Sequence, residues 1–126
     1  DFALVNAEST EPNLVFAKFL EDGAREVCTG AATADLTIPD PANRVLSPEV
    51  PAAITDVSKI DDVTAKKNLS YLSTRFWGQP LADAELDVWA ASFKTIAARA
   101  QAQNKKSQAW AAICVAMMTD PRFITY

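Results

Sequence analysis

Residues 81–96 read Leu81-Ala82-Asp83-Ala84-Glu85-Leu86-Asp87-Val88-Trp89-Ala90-Ala91-Ser92-Phe93-Lys94-Thr95-Ile96, and their spacing decides the fold. Leu86, Trp89, Phe93 and Ile96 recur at i, i+3, i+7 and i+10. That spacing holds four large apolar groups on one stripe of a helix and turns Asp83, Asp87 and Lys94 away from it. A second ladder, Trp110, Ile113, Cys114 and Met117, follows the polar break Gln103-Asn104-Lys105-Lys106. Two such stripes one short loop apart predict an antiparallel helical pair, over residues 83–103 and from a Ser107 N-cap to 118.

Moving towards the N-terminus, Asp61 or Asp62 caps a helix over 63–77 whose stripe is Leu69, Leu72 and Phe76. Gly78 stops it and Pro80 prevents its continuation, while Leu81 staples the entry to the next helix. Further back, Ser9 or Thr10 offers an N-cap and Glu11-Pro12 an acidic first turn. A helix over 11–28 follows, with Phe16, Phe19, Leu20, Val27 and Cys28 lining one face, and Gly30 placed to end it. Phe2, Leu4 and Val5 suit an extended lead-in. Pro39, Pro41, Pro48 and Pro51 make residues 31–57 an irregular wrap, with short helical turns at 41–44 and 51–55. Thr119-Asp120-Pro121 breaks the last helix, and the alternation in Arg122-Phe123-Ile124-Thr125-Tyr126 suits an extended tail over 119–126.

The expected fold is therefore all-α: one domain over 1–126, a four-helix orthogonal or irregular bundle with a long proline-rich segment between helices one and two. Helix one is expected to pack across the hairpin of helices three and four. With 49% hydrophobic and 22% charged residues the chain has the makeup of a globular domain, and three glycines are too few for a fold built on tight β-turns. No internal repeat is present.

Composition also removes chemistry. The chain has no histidine, so it holds no Ser-His-Asp or Cys-His unit, and two cysteines alone do not make a zinc site. No catalytic, cofactor-binding or metal-binding residue is assigned. The halves differ in charge: residues 1–62 carry twelve acidic and four basic side chains (−8), and residues 63–126 carry four and eight (+4). The halves can attract each other within one fold, or the polarity can orient a partner. Lys66-Lys67 and Lys105-Lys106 are isolated pairs with no basic stripe between them, so nucleic acid is not an expected partner. No run of 18 apolar residues occurs, so no transmembrane segment is expected.

Cys28 and Cys114 each fall on the apolar side of an expected helix. They are read as a disulfide that ties the first helix to the last, worth roughly 4–5 kcal/mol in the chain-entropy model. Two buried thiols filling core space are the alternative, and spacing alone does not separate the two. Asp1-Phe2 is a natural start for a chain whose signal peptide has been removed, which together with the cysteine pair points to an exported protein.

Three stretches carry a family resemblance: Arg75-Phe76-Trp77-Gly78-Gln79-Pro80-Leu81, Asp83-Ala84-Glu85-Leu86 and Asp120-Pro121-Arg122-Phe123. Together they resemble a C-terminal helical module of uncharacterised exported planctomycete and myxobacterial proteins associated with c-type cytochrome domains. The resemblance covers residues 70–126, and the helix of Cys28 more loosely. The chain departs from the module at Ala82, where Ser or Thr is usual, and at Tyr126, where it stops. The resemblance implies a periplasmic or cell-surface location near redox machinery. It implies no activity for named residues, and the absence of Cys-x-x-Cys-His leaves no covalent haem in this chain.

The expected function is a non-catalytic structural or interaction subunit of a larger exported, membrane-associated or redox assembly. Its partners would be other protein subunits, cytochrome-containing or membrane-bound. Pro39, Pro41, Arg44, Trp77, Arg122, Phe123 and Tyr126 are the candidate interaction residues. One alternative is a docking module for an electron carrier or small ligand, oriented by the charge asymmetry. Another is a carboxylate-dependent hydrolase using Asp61, Asp62, Asp83 or Glu85, although helix N-termini lower the pKa of an acid that paired-carboxylate chemistry needs raised.

Overall fold

Residues 107–118 are apolar on nearly every side, and a helix of that kind has to be surrounded. The computed structural model, which describes residues 6–124 and the side chains of 15–123, places it at the centre. All regular elements among the described residues are helical: α1 (Asn6–Asp35), α2 (Asp62–Trp77), α3 (Asp83–Ala102), α4 (Ser107–Met118) and a single turn, α5 (Pro121–Ile124). Alpha-helix α4 packs against α1, α3, α2 and α5, with Ala109, Trp110, Ala111, Ile113, Cys114 and Met117 all buried.

The expected ladder of α4 is buried as read, and that of α2 is buried except at its end. Asp61 caps α2, its carboxylate accepting the Thr64 N–H at 2.8 Å. Gly78 ends it in the left-handed region at φ 80°, where a residue with Cβ is strained. Leu69 and Leu72 are fully buried, Phe76 half so.

On α3 the inward line is displaced by one position. Ala90, Phe93, Ala97 and Ala100 are buried, while Leu86, Trp89 and Ile96 are only half-buried. Alanines on the deepest line let α3 lie close to its neighbours, and the larger side chains close the seam from its flanks. Phe93 stacks on Trp110 with ring centroids 4.0 Å apart, and Trp77 meets Trp89 edge-on at 5.8 Å. The Trp77 indole N–H donates to the Met117 carbonyl at 3.0 Å, so this large ring is buried without an orphaned donor. The α3–α4 turn sets Asn104 at φ 57°, and the Lys105 N–H closes back on the Ala100 carbonyl at 2.8 Å. That i→i−5 closure is a helix stop in which Asn tolerates the left-handed position.

Helix α1 differs most from expectation. It starts at Asn6, before Ser9, Thr10 and Pro12, and runs through Gly30 to Asp35. Phe2, Leu4 and Val5 lie outside the described residues. Gly30 has ordinary helical φ and open space where a Cβ would point, so neither strain nor crowding calls for a glycine there. The end is set instead by a tertiary anchor at Asp35, which outweighs one glycine's cost of about 1 kcal/mol. Gly30→Ala is accordingly expected to raise stability by about 1 kcal/mol, read from the urea midpoint at low-micromolar protein. An unchanged or lowered midpoint would contradict this reading of the helix.

The segment 36–61 contains two 3₁₀ turns, Pro41–Asn43 and Val57–Lys59. The first matches an expected position; the second lies beyond the expected 51–55, where only the Ile54 N–H to Pro51 carbonyl bond forms. Two buried polar side chains pin this segment to the helices. The Asp35 carboxylate accepts the backbone N–H groups of Val45 (2.8 Å), Leu46 (2.7 Å) and Ser47 (3.1 Å). The fully buried Asn68 donates to the Leu46 carbonyl at 2.7 Å and accepts from the Glu49 N–H at 3.2 Å. The Val57–Lys59 turn rests on α3, where Gln101 accepts the Val57 N–H at 3.1 Å.

The expected extended tail is instead helical over Pro121–Ile124. Asp120 accepts the Arg122 N–H at 2.9 Å, and Pro121 occupies the first helical position, where its missing N–H costs nothing. Thr125 and Tyr126 lie outside the described residues.

Candidate interaction surface

Helix α1 is 30 residues long, about 45 Å, against about 18 Å for the 12-residue α4 on which it packs. The contact uses small groups on one line, Ala24, Cys28 and Ala32, closed by Asp35. A disulfide from Cys28 to Cys114, with Cα atoms 5.7 Å apart, binds α1 to α4. The Met118 sulfur lies 3.6 Å and 3.9 Å from the two cysteine sulfurs.

That line is not the one expected from side-chain size. The sequence predicts one core face for Phe16, Phe19, Leu20, Val27 and Cys28, yet Phe19 is 75% exposed, Val27 58% and Phe16 54%; Val15 beside them is 70% exposed. Cys28 alone of the five is buried, and Leu20 is half-buried. The physical reason is geometric: the disulfide and the two small residues beside it, Ala24 and Ala32, fix the rotation of α1, and the phenylalanines then fall about a third to a half of a turn from Cys28. Phe16 and Leu20 line a groove of about 420 Å³ with Val115 and Thr119 at the end of α4. Charges along this part of α1 are paired within the helix, Lys18 with Asp22 at 3.6 Å and Arg25 with Glu21. Contiguous exposed apolar groups rimmed by polar ones mark a contact surface.

The expected interaction residues divide between two places. Trp77, Arg122 and Phe123 converge. The Arg122 guanidinium lies 3.8 Å above the Trp77 ring, and Phe123 meets Phe76 edge-on at 6.1 Å. Arg122 holds Asp120 through Nε and Nη2, both at 3.0 Å, and reaches both Glu85 oxygens through Nη1 at 3.0 Å. This is an internal clasp joining α5, α3 and α2; Trp77 is 1% exposed and offers nothing to a partner. Pro39, Pro41 and Arg44 belong to the 36–61 segment. Pro39 is exposed and Pro41 half-buried, while Arg44 donates to the Ile38 carbonyl at 3.1 Å and to that of Val50 at 3.4 Å. Tyr126 lies outside the described residues.

The clasp makes two expectations. A lysine cannot supply the planar fork over an indole, so Arg122→Lys is expected to cost about 2 kcal/mol in denaturant unfolding. A loss below about 0.5 kcal/mol would reduce the clasp to a surface pair. Hydrogen bonds from the Arg122 side chain, and then its backbone N–H, hold the Asp120 carboxyl below the usual carboxylate range. A carboxyl depressed in the folded state stabilises the fold above its unfolded pKa, about 3.9. That contribution is lost as pH falls through the lower folded value. Stability should therefore drop on acidification below about pH 4, and Asp120→Asn should flatten that limb. An identical acid limb in the variant would contradict the assignment.

Three of the four carboxylates considered for hydrolysis, Asp61, Asp62 and Glu85, have other employment, and Asp83 stands exposed in the first turn of α3. Asp61 caps α2 and is held below the usual range by hydrogen bonds from the Thr64 hydroxyl and N–H, the opposite of what a general acid needs. Asp62 and Asp87 share Lys66 at 3.0 Å and 2.8 Å, and Glu85 is in the clasp. A cavity of about 110 Å³ lies among Asp35, Arg44, Ser47, Val50, Lys106 and Trp110, and a wider hollow of about 890 Å³ runs along Glu49, Asp62, Lys66, Tyr71 and Arg75, where Asp62 is engaged by Lys66. No group of three metal-ligating side chains occurs among the described residues, and no described helix is long and apolar enough to cross a membrane. Comparison with protein-family models, with curated proteins and with solved structures gives no match for this chain.

Proposed function

We propose that the protein is a non-catalytic interaction subunit of a larger exported assembly, and that it docks through the outward face of α1. One observation carries this reading: Val15, Phe16, Phe19 and Val27 stand more than half exposed along one stretch of a helix whose opposite side is bonded to the domain. A free domain gains nothing by keeping two phenylalanines in water, whereas an interface recovers about 25 cal/mol for each Å² of that surface. The Cys28–Cys114 disulfide is compatible with an oxidising, extracytoplasmic compartment. The resemblance of residues 70–126 to the planctomycete and myxobacterial module supports partners in a redox or membrane-bound complex. The helices are read as an irregular bundle acting as a rigid mount for α1, with the 36–61 segment bracing the far end of that helix through Asp35.

Photo-crosslinking in the producing cells tests the reading. A benzophenone side chain at Phe19 should yield a protein adduct, and the same group at Lys94, exposed on α3, should not. No adduct at Phe19, or equal adducts at both positions, would end the proposal.

A further inference from the structure

Glycine weakens a helix interior by about 1 kcal/mol relative to alanine, and α1 carries two, Gly23 and Gly30. Beyond its own helix backbone, neither has any atom within 4 Å of where a Cβ would sit, and neither adopts positive φ, so the fold of one molecule supplies no reason for them. Both lie on the exposed apolar stripe. At 100° per residue, Phe16, Phe19, Gly23, Val27 and Gly30 fall within about 80° of one another, on a face distinct from the Ala24, Cys28 and Ala32 line. Phe16, Gly23 and Gly30 are spaced by sevens, the interval at which a helix repeats its contacts with a partner helix.

Resting on the docking function proposed above, we infer that the partner of this face is a second copy of the chain, with the two α1 helices crossing antiparallel at Gly23. That register is self-complementary. Gly23 meets Gly23, Phe19 of each copy lies against Val27 of the other, and Phe16 of each covers the gap left by Gly30 of the other. Absent Cβ atoms let the two backbones approach, which is what small residues do at close helix crossings. The antiparallel arrangement also sends the two bundles to opposite ends. The 15–22 stretch of one molecule then lies along the 24–31 stretch of the other, in the closed two-fold symmetry commonest among soluble oligomers.

Charge and area agree with that occupant. Between residues 15 and 30 there are two basic and three acidic side chains, a net of −1 (2 − 3), against −8 for residues 1–62 as a whole. With Lys18–Asp22 and Glu21–Arg25 paired inside each helix, two copies do not repel strongly along this face. The same near-neutrality gives nothing to a nucleic acid or an anionic bilayer. At the exposures given above, Val15, Phe16, Phe19 and Val27 offer roughly 450–500 Å² per copy, near the ~1,000 Å² total that a specific pair needs. Weak, micromolar association is the expectation for so small a contact.

Sedimentation velocity of the chain over roughly 1–500 µM, spanning that range, is the test. The wild type should shift from monomer to dimer, Phe16→Glu with Phe19→Glu should stay monomeric, and Gly23→Leu should lose the dimer while melting higher as a monomer. As a second readout, Gly23→Cys should form a disulfide between copies on mild oxidation, and Lys94→Cys should not. A wild type that stays monomeric throughout overturns self-pairing, as does a dimer that survives the two glutamates or the leucine. Self-pairing fails separately from the docking reading, because a Phe19 crosslink to a different protein would sustain docking while excluding a second copy.

Discussion

Replacing both Cys28 and Cys114 by alanine is expected to remove about 4–5 kcal/mol of stability and to loosen α1 before anything else. The bridge closes a loop of 86 positions, and the entropy it denies the unfolded chain grows with the logarithm of that length. The local consequence follows from what α1 brings to the interior. Among the described side chains of α1, those buried apart from Cys28 are Ala24, Ala32 and the Asp35 carboxylate, which bury little apolar surface. Helices α2, α3 and α4 hold each other through Leu69, Leu72, Trp77, Phe93, Trp110, Ile113 and Met117. In the double variant, hydrogen exchange should therefore quicken in residues 24–34 far more than in 65–77 or 90–100. Equal loss of protection everywhere would show that α1 is integral to the core and not a bonded strut.

Asp35→Ala is expected to cost roughly 3–5 kcal/mol, as much as truncating a large core side chain. The carboxylate is 4% exposed and accepts three consecutive backbone N–H groups together with the Ser47 hydroxyl at 3.4 Å. Alanine leaves those donors buried and unanswered, each at about 1–3 kcal/mol, offset in part by local opening to water. Asp35→Asn keeps the shape and one acceptor oxygen but turns an NH₂ towards the donors, so about half of the loss is expected. Urea unfolding of the two variants gives the answer. A loss below about 1 kcal/mol for alanine would mean that 36–61 is held mainly by Asn68 and Arg44.

Elements whose signals are local were readable from the chain. The Asp61 cap and the Gly78 stop lie at the ends of α2, and the α4 ladder is continuous, so each was placed from a few neighbouring residues. The Asp120-Pro121 pair carries the same cap-then-proline signature, but here it opens a turn where a break was expected. Features set by long-range fit were not readable. Side-chain size suggested that Phe16, Phe19 and Val27 face inward; the deciding constraint is the 5.7 Å approach of Cys28 to Cys114, which rewards alanines. The same preference moved the inner line of α3 from Leu86, Trp89 and Ile96 to Ala90, Ala97 and Ala100. Asp35 and Asn68 find their partners 10 to 22 positions away, beyond any local pattern. Trp77, Arg122 and Phe123, read from the sequence as residues for a partner, meet one another in an internal clasp. The stripe that does face water was hidden because an exposed aromatic ladder and a buried one have the same spacing.

Helix α1 meets the bundle with its small residues and leaves its aromatic ones outside. Hydroxyl-radical footprinting of the dilute, monomeric protein, read residue by residue by mass spectrometry, tests it most directly. Phe16 and Phe19 should oxidise at rates near those of a short unstructured peptide, while Phe93 and Trp77 remain protected. Protection of Phe16 and Phe19 equal to that of Phe93 would place the aromatic stripe in the core and contradict the account.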